Sequence, residues 1–204
     1  FVGRLESRKG WKTFILAAKK LKRKLKRNTT VTFFVTTGQN SAEDLEQELA
    51  KNKITANVFY GLSPEIIMSY LEQRSSAPVI LPSRAEVCSL VVLECLEREV
   101  PFLASNIKAF KDVVSIKQHK KVLFKAGDPE ALFKKIKKNF LSKPEKIQPA
   151  VSYKTTQDSW LKLNRKLART KRVKFFEKKL TLAVGVLHRN RSDLVSKTIS
   201  SIIK

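Results

Sequence analysis

The sequence contains few residues of the kinds that bind metals or form disulfide bonds. Its 204 residues include two cysteines, Cys88 and Cys95, and two histidines, His119 and His188. Two cysteines exclude a disulfide scaffold and a four-cysteine zinc site, and two histidines so far apart in sequence argue against a histidine-based metal site. Because both cysteines fall within one apolar segment, we expect them to be reduced core residues of a cytosolic protein.

Acidic residues are also scarce. The chain has 18 Asp and Glu residues against 42 Lys and Arg residues, which gives a formal net charge of +24. A surface this basic attracts polyanions, such as nucleotides, nucleic acid or an anionic membrane face. The charge carries no information about the fold.

Long apolar runs are absent from the sequence. No run approaches the roughly 18–20 residues that span a bilayer, and no signal peptide is apparent. Apolar residues still make up 42% of the chain, which is typical of a globular protein rather than a disordered one. The chain opens within an apolar stretch without a Met and ends within a helical pattern, so we expect it to be an excerpt of a longer polypeptide.

Predicted strands and helices alternate through the first part of the chain. Runs rich in β-branched, aromatic and other apolar residues predict strands, and apolar residues three and four positions apart predict helices. The predicted strands are residues 1–3, 31–37, 56–60, 79–81, 101–105 and 122–124. The predicted helices follow Gly10, Ser41 and Ser63, then cover 87–97 and 127–141. Several strands lack polar alternation, which indicates an α/β fold whose parallel sheet is covered by helices on both faces.

The sequence changes character after Lys143. Trp160, Leu163 and Leu167 predict one more helix, and residues 169–179 are dense in Lys and Arg and indicate a linker. Residues 180–204 contain an apolar strand and the start of a helix, which form a truncated βα unit. We therefore predict a first domain at 1–168, a basic linker at 169–179 and the start of a second domain at 180–204.

Two cations flank a predicted turn between the first strand and the first helix. Arg4 follows Gly3, and Lys9 comes directly before Gly10. Coulomb attraction, backbone N–H groups and the helix dipole act together on a pyrophosphate bound at such a junction. The alternative is an ordinary surface Arg and Lys near a turn, in a chain that has many basic residues.

A pair of glutamates follows the fourth predicted strand. Glu86 lies at or before the start of the 87–97 helix, and Glu94 lies about two turns further on, near the same face. Carboxylates at this position can accept hydrogen bonds from sugar hydroxyls. The alternative is one Glu favoured by the helix dipole and one solvated Glu. A metal site is disfavoured because no third ligand is nearby.

A basic segment, KKLKRKLKR, covers residues 19–27 and has seven cations in nine positions. Leu21 and Leu25 share one helix face, so the cations line the exposed face. The simplest interpretation is a solvated face. The functional alternative is contact with anionic lipid headgroups. Nucleic acid is not expected, because no aromatic residues are interleaved for base stacking.

Several segments occur in an order that resembles a known family. They are FVGRLESRKGWKTFILAAKKLK, VFYGLSPEIIMSYLEQ, LPSRAEVCSLVVLECLEREVPFLASNIKAFKDVV and KAGDPEALFKKIKK. Together they resemble the C-terminal, donor-binding domain of a GT-B glycosyltransferase of glycosyltransferase family 4. The resemblance covers about residues 1–141 and implies a Rossmann-like parallel sheet flanked by helices.

The resemblance also implies catalytic residues. Arg4 and Lys9 match the basic pair that neutralises the departing nucleoside diphosphate, and Gly3 belongs to the same motif. Glu86 matches the glutamate that contacts the transferred sugar. Such enzymes are usually retaining and need no metal or other cofactor, since fixed cations and a helix dipole stabilise the developing charge.

Further residues match the donor-binding positions of the family. Glu94 matches the glutamate that holds the ribose hydroxyls. The N–H groups of Ser89 and Leu90 match the helix start that cradles phosphate. The segment Tyr60, Gly61 and Leu62 matches the one that lines the base.

The chain departs from the family pattern where glycines are usual. Val87 and Cys88 follow the first glutamate, Glu99 precedes the Pro-led strand, and Lys108-Ala109 replaces a Gly-Gly pair. Glycines at these places allow close backbone approach to the donor. Their replacement therefore bears on donor choice and on activity. The charge of a lysine can replace the contacts that backbone N–H groups would have made with the donor.

A second resemblance lies at the end of the chain. LTLAVGVLHRNRSDLVSKTISSI resembles the opening strand, turn and helix of a family 2 glycosyltransferase of the GT-A type. This resemblance implies two transferase domains in tandem in the parent protein.

The sequence therefore predicts a glycosyltransferase fragment that binds a nucleotide-sugar donor and transfers the sugar, with retention, to an unknown acceptor. The competing hypothesis is a catalytically degenerate GT-B-like module that holds anionic membrane or nucleic acid on its basic surface. We expect a cytoplasmic protein, with peripheral contact at the inner membrane face through its cations.

Overall fold

A computed structural model describes residues 1–25, 30–74, 77–140 and 146–169. The chain divides into two units, Phe1–Asp158 and Ser159–Lys204, and the division falls within a single helix. The predicted linker at 169–179 lies outside the described residues except at Arg169, and the predicted second domain at 180–204 lies wholly outside them. The domain boundaries therefore stay predictions. No described helix combines the length and the apolar character needed to cross a membrane.

Within its described residues, the first unit contains six parallel strands in two sheets. The strands are β1 (Val2–Arg4), β2 (Val31–Thr36), β3 (Ala56–Tyr60), β4 (Val79–Leu81), β5 (Phe102–Ser105) and β6 (Leu123–Phe124). One sheet has the order β1-β2-β3 and the other the order β4-β5-β6. Since β1 and β4 contact each other, the chain order reverses between them, and this is where doubly wound sheets bind their ligands.

Helices connect successive strands, as the α/β class requires, and two further described helices follow β6. They are α1 (Trp11–Leu25), α2 (Ala42–Lys51), α3 (Pro64–Gln73), α4 (Leu90–Glu97), α5 (Lys108–Lys111), α6 (His119–Val122), α7 (Pro129–Phe140) and α8 (Tyr153–Arg169). Short 3-10 turns cover Ser7–Lys9 and Ile116–Gln118. The predicted α/β class with parallel strands flanked by helices is confirmed.

Side-chain caps fix the starts of several helices. Ser41 accepts a hydrogen bond from the backbone of Asp44, whose carboxylate accepts one from the Ser41 N–H, which completes a capping box. Ser63 caps α3, with Pro64 at its first position. The backbone N–H groups of Ala131 and Glu130 hold the pKa of the Asp128 carboxyl below its usual range at the start of α7.

Apolar residues fill both faces of the strands. Along β4, Ile80 packs into the cluster shared with α1 and α7, whereas Val79 and Leu81 pack into the cluster shared with α4. In β5 the same alternation separates Leu103 from Phe102. Successive strand residues point to opposite faces, so burial on both sides explains why β4 is apolar throughout and β5 is apolar up to its last residue, Ser105.

Two predictions about the segment after β4 are wrong. The predicted 87–97 helix begins only at Leu90, because residues 82–89 form a loop. Cys88 lies in that loop and is exposed, so it is not a core residue, whereas Cys95 is buried in α4 as expected. The apolar appearance of the loop in sequence misled the prediction.

The two cysteines should differ sharply in reactivity. Burial raises the pKa of the Cys95 thiol to about 12, and the thiolate is the reactive form. Iodoacetamide at pH 8 should therefore alkylate Cys88 in the native chain and reach Cys95 only after unfolding in urea. Peptide mass spectrometry over time measures both rates, with Cys88→Ser as the control. Equal rates in the native chain would contradict this burial.

Glu99 has a backbone role at the far end of α4. It adopts a left-handed conformation with φ 57°, just after the C-cap Arg98, where glycine is favoured. Its side chain forms an ion pair with Lys146. The position lies at the amino end of β5, so the expectation that a glycine here serves approach to the donor is wrong.

Candidate functional site

The loops that follow β1 and β4 meet at the carboxyl edge of the strands. The backbone N–H of Arg84 donates to the carbonyl oxygen of Arg8 over 2.7 Å. Gly10, at φ 71°, approaches Pro82 so closely that a Cβ atom would lie 2.0 Å from the Pro82 carbonyl oxygen. Only glycine fits this contact. The two loops are therefore held together by their backbones, in addition to any contacts between their side chains.

A chain of alternating charges crosses this junction. Glu6 forms ion pairs with Arg4 (2.9 Å) and with Arg8 (2.7 Å), and Arg8 also donates to Glu86 (3.3 Å). Lys9 Nζ lies 2.5 Å from Glu86 Oε1. The five side chains carry three positive and two negative charges, so the site keeps a net positive charge that favours an anionic ligand.

Glu86 is the most enclosed member of this charge chain. Its side chain is 5% exposed, and its oxygens accept from Lys9, Arg8 and the Ser83 hydroxyl. A carboxylate can accept about four hydrogen bonds, so one position remains for a sugar hydroxyl. The structure thus brings together Arg4, Lys9 and Glu86, three of the residues predicted from the sequence.

Glu6 and Arg8 were not among the predicted site residues. Both lie inside the GRLESRKG segment, between the predicted cations. The alternation of acidic and basic residues at positions 4, 6 and 8 was the available signal. It was uninformative without the structure, because Glu86, the second partner of Arg8, lies 78 positions away in the chain.

The start of α4 supplies a second part of the site. Ser89 is its N-cap residue and Leu90 its first helical residue, so the N–H groups of the first turn begin at the same edge as Glu86. Glu94 lies in the second turn, half-buried. Since Glu86 precedes the helix in a loop, the two glutamates are not related by helical spacing. Within the described residues, the Glu94 carboxylate has no hydrogen-bond or ion-pair partner.

The segment after β3 reaches the same edge from the other side. Tyr60 pairs in register with Val35, whose neighbour Thr36 pairs with Arg4. Gly61 has φ 64°, an added Cβ there would meet no atom within 4 Å, and its N–H donates to the Val35 carbonyl. Burial, and then the nearby Glu46 and Glu43 carboxylates, raise the pKa of Tyr60. Leu62, half-buried, follows directly.

The described residues hold no metal cluster at this edge, and an apolar cavity lies at the opposite one. Within the described ranges, no group of three or more His, Cys, Asp or Glu side chains is placed to hold a metal ion. An apolar cavity of about 650 Å³ opens at the opposite edge, where Val2, Val31 and Val79 begin their strands. The charge chain is therefore separate from that cavity.

Lys108 and the basic segment at 19–27 are the other cations considered in the sequence analysis. Lys108, which follows β5, donates to Asp112 over 2.7 Å. In the basic segment at 19–27, the side chains are described through Lys24. Four of its cations are exposed on α1, whereas Leu21 is buried; they are Lys19, Lys22, Arg23 and Lys24. Residues 26 and 27 lie outside the described residues.

Comparison with known protein families supports the prediction of a glycosyltransferase. A family model described as "Glycosyl transferases group 1" matches residues 1–156. The chain belongs to the group 1 glycosyltransferases. The membership indicates sugar transfer in general, with a sugar donor and an acceptor. A comparison with curated proteins found no significant match.

Solved structures of glycosyltransferases share the fold of this group 1 chain. The catalytic domain of cholesterol-α-glucosyltransferase from Helicobacter pylori matches with 15% identity and a TM-score of 0.50, over 69% of this chain and 84% of that one. The C-terminal domain of a group 1 family protein from Francisella tularensis matches with 18% identity and a TM-score of 0.56, over 69% and 74%.

A longer enzyme matches as well. Sucrose-phosphate synthase from Thermosynechococcus elongatus matches with 19% identity and a TM-score of 0.59, over 82% of this chain and 45% of that one. The group 1 chain thus spans less than half of that enzyme. These likenesses show the fold of the C-terminal domain of GT-B glycosyltransferases.

Proposed function

We propose that this chain is the donor-binding part of a family 4-like glycosyltransferase, which binds a nucleotide-sugar and transfers its sugar with retention. The observation that carries the proposal is the pair of cations Arg4 and Lys9, held at one strand-to-helix turn beside the chain reversal between β1 and β4. A diphosphate carries the complementary charge and matches the ligand position of such sheets.

The cations keep donors available for the diphosphate. The Arg4 side chain is 41% exposed, and only one of its guanidinium nitrogens is engaged by Glu6. Lys9 has three N–H donors, of which one points at Glu86. Both residues can therefore bind phosphate oxygens without losing their carboxylate partners.

The proposed reaction places charge where these residues lie. The bond between the anomeric carbon and the β-phosphate oxygen breaks, and its electron pair leaves with the nucleoside diphosphate. A new bond joins that carbon to a hydroxyl oxygen of the acceptor, whose proton is released. Arg4 and Lys9 stabilise the growing negative charge on the leaving group, while Glu86 orients the sugar through a hydroxyl.

Glu94 is proposed to bind the ribose. Its carboxylate lacks a side-chain partner among the described residues, and a charged acceptor without a partner suits a pair of hydroxyl donors. Ser89 and Leu90 place the first N–H groups of α4 near a phosphate, and Tyr60, Gly61 and Leu62 line the base.

Glu94→Gln tests this assignment. Affinity for the preferred member of UDP, GDP, ADP and CDP should fall by about 1.5–3 kcal/mol, or roughly 10- to 150-fold, because the amide cannot accept both ribose hydroxyls well. The 2′-deoxy form should bind more weakly to the native chain and lose less on mutation. Isothermal titration calorimetry measures all four affinities.

Glu97→Gln serves as the matched control for this test, since Glu97 is an exposed residue of the same helix. It should leave both affinities unchanged. Equal losses for the ribo and deoxy forms in Glu94→Gln would show a general electrostatic effect and would remove Glu94 from the site.

Peripheral membrane contact is proposed only for the exposed cations of α1. Lys22, Arg23 and Lys24 are exposed on consecutive positions of this helix, and each cation near an anionic surface adds about 1 kcal/mol of attraction. A family 2-like GT-A domain after residue 180 is likewise a proposal from the resemblance of that segment.

A further inference from the structure

Glu6 is a buried carboxylate that contacts two arginines at the candidate site. Its side chain is 10% exposed. Oε1 lies 2.9 Å from Arg4 Nη1, and Oε2 lies 2.7 Å from Arg8 Nε. One carboxylate therefore binds two guanidinium groups, each through a different oxygen.

The backbone around Glu6 holds this carboxylate in place. Its N–H donates to the Arg4 carbonyl oxygen, and its own carbonyl oxygen accepts from the Lys9 N–H, each over 2.9 Å. Gly38, in the loop after β2, lies so close that a Cβ atom would be 2.9 Å from Glu6 Cγ. Glu6 is thus enclosed by its own turn and by the next loop.

The two arginines remain accessible while they are paired. The side chains of Arg4 and Arg8 are about 40% exposed, so each has N–H groups that face solvent. An arginine side chain that is free in solution loses rotamer entropy when a ligand immobilises it. Pairing with a fixed carboxylate removes much of that loss before the ligand arrives.

We propose that Glu6 is a positioning residue for the diphosphate site. It holds the Arg4 guanidinium in the orientation that binds phosphate. It also pairs with Arg8, which in turn contacts Glu86, the residue proposed to orient the sugar. This inference rests on the proposed function. The family resemblance implies no role for Glu6 or Arg8. The positioning role is inferred from the ion pairs of Glu6 with Arg4 and Arg8.

Glu6→Gln is the first test, because it keeps the size of the side chain and removes its charge. Affinity for the preferred nucleoside diphosphate should fall about tenfold, the lower end of the range for a charge-assisted hydrogen bond. In an Arg4→Met background the same change should have little further effect, since Glu6 acts through Arg4. Additive losses, or tighter binding by Glu6→Gln, would overturn the proposal.

A second variant moves the carboxylate without changing any charge. Gly38→Ala should push Glu6 away from its arginines and reduce affinity in the same direction as Glu6→Gln. Glu6→Asp, which retains the charge, should recover part of the loss in Glu6→Gln. Unchanged affinity in Gly38→Ala together with no recovery by Glu6→Asp would contradict a positioning role.

A readout without nucleotide separates this inference from the proposed function. In the native chain, the ¹⁵N–{¹H} nuclear Overhauser effect of Arg4 Nε should be that of an immobilised side chain, and in Glu6→Gln it should fall to the value of a solvated arginine, since Glu6 is the carboxylate that pairs with Arg4. If the native chain binds no nucleotide but this difference is present, the proposed function fails and the positioning role stands. A mobile Arg4 side chain in the native chain would refute the positioning role itself.

Discussion

Lys9→Gln should remove most of the nucleotide affinity of the chain and also destabilise it. The Lys9 side chain is 17% exposed and lies 2.5 Å from Glu86, which is nearly fully buried. Removing one partner of a buried ion pair costs about 3–5 kcal/mol. We expect the lower end, because Arg8 and Ser83 still donate to Glu86. Affinity for a nucleoside diphosphate should fall roughly 10- to 150-fold.

A double variant separates the two effects of Lys9. In Lys9→Gln with Glu86→Gln no carboxylate is left without its lysine, so urea denaturation should show much of the stability restored. Nucleotide affinity measured by calorimetry should stay low, because the phosphate-binding cation is still missing. Lys12→Gln is the control, since Lys12 is exposed and its ion pair with Glu48 is long, at 3.9 Å. Recovery of binding in the double variant would show that Lys9 only neutralises Glu86.

Gly10→Ala should have the largest effect on stability of any single methyl addition at the site. The left-handed backbone costs about 1–3 kcal/mol for a residue other than glycine, and the overlap with the Pro82 carbonyl oxygen adds about 1–3 kcal/mol of overpacking. Urea denaturation should therefore show a loss of about 2–6 kcal/mol in the free energy of unfolding.

Gly61→Ala provides a matched control for Gly10→Ala. Gly61 has a similar φ of 64°, but an added Cβ would meet nothing within 4 Å. Its replacement should cost only the backbone strain, about 1–3 kcal/mol. If both variants lose the same stability, the close contact between the loops after β1 and β4 is absent.

Much of the fold was predictable because short runs of β-branched, aromatic and other apolar residues mark the strands in the sequence. The β3 and β4 bounds, 56–60 and 79–81, were predicted as observed. The capped starts at Ser41 and Ser63 were also confirmed. In contrast, α5 and α6 have four residues each, which is too short for a helical period to appear in the sequence.

The start of α4 shows the limit of pattern reasoning. Val87 and Cys88 are apolar and continue the helical pattern in sequence, yet both are exposed in the loop. Composition does not reveal that this loop is drawn toward the turn after β1 by Lys9 and Arg8. Those contacts join segments 77 and 78 positions apart.

The candidate site was predictable only in part for the same reason. Arg4, Lys9, Glu86 and Glu94 could be chosen from residue type and spacing near strand ends. The role proposed for Glu6 could not be predicted, because it depends on the contact of each carboxylate oxygen with a different arginine. The sequence also did not show that Glu86 is enclosed by three donors.

Mapping nucleotide binding by nuclear magnetic resonance tests the central claim most directly, namely that the edge between β1 and β4 binds a nucleoside diphosphate. The ¹⁵N-labelled 204-residue chain is titrated with UDP, GDP, ADP and CDP. At least one should shift the amide signals of Gly3, Arg4, Gly10 and Glu86 most strongly and saturate. Shifts centred instead on the opposite-edge cavity at Tyr70 and Val79, or no saturable shift with any of the four, would contradict the account.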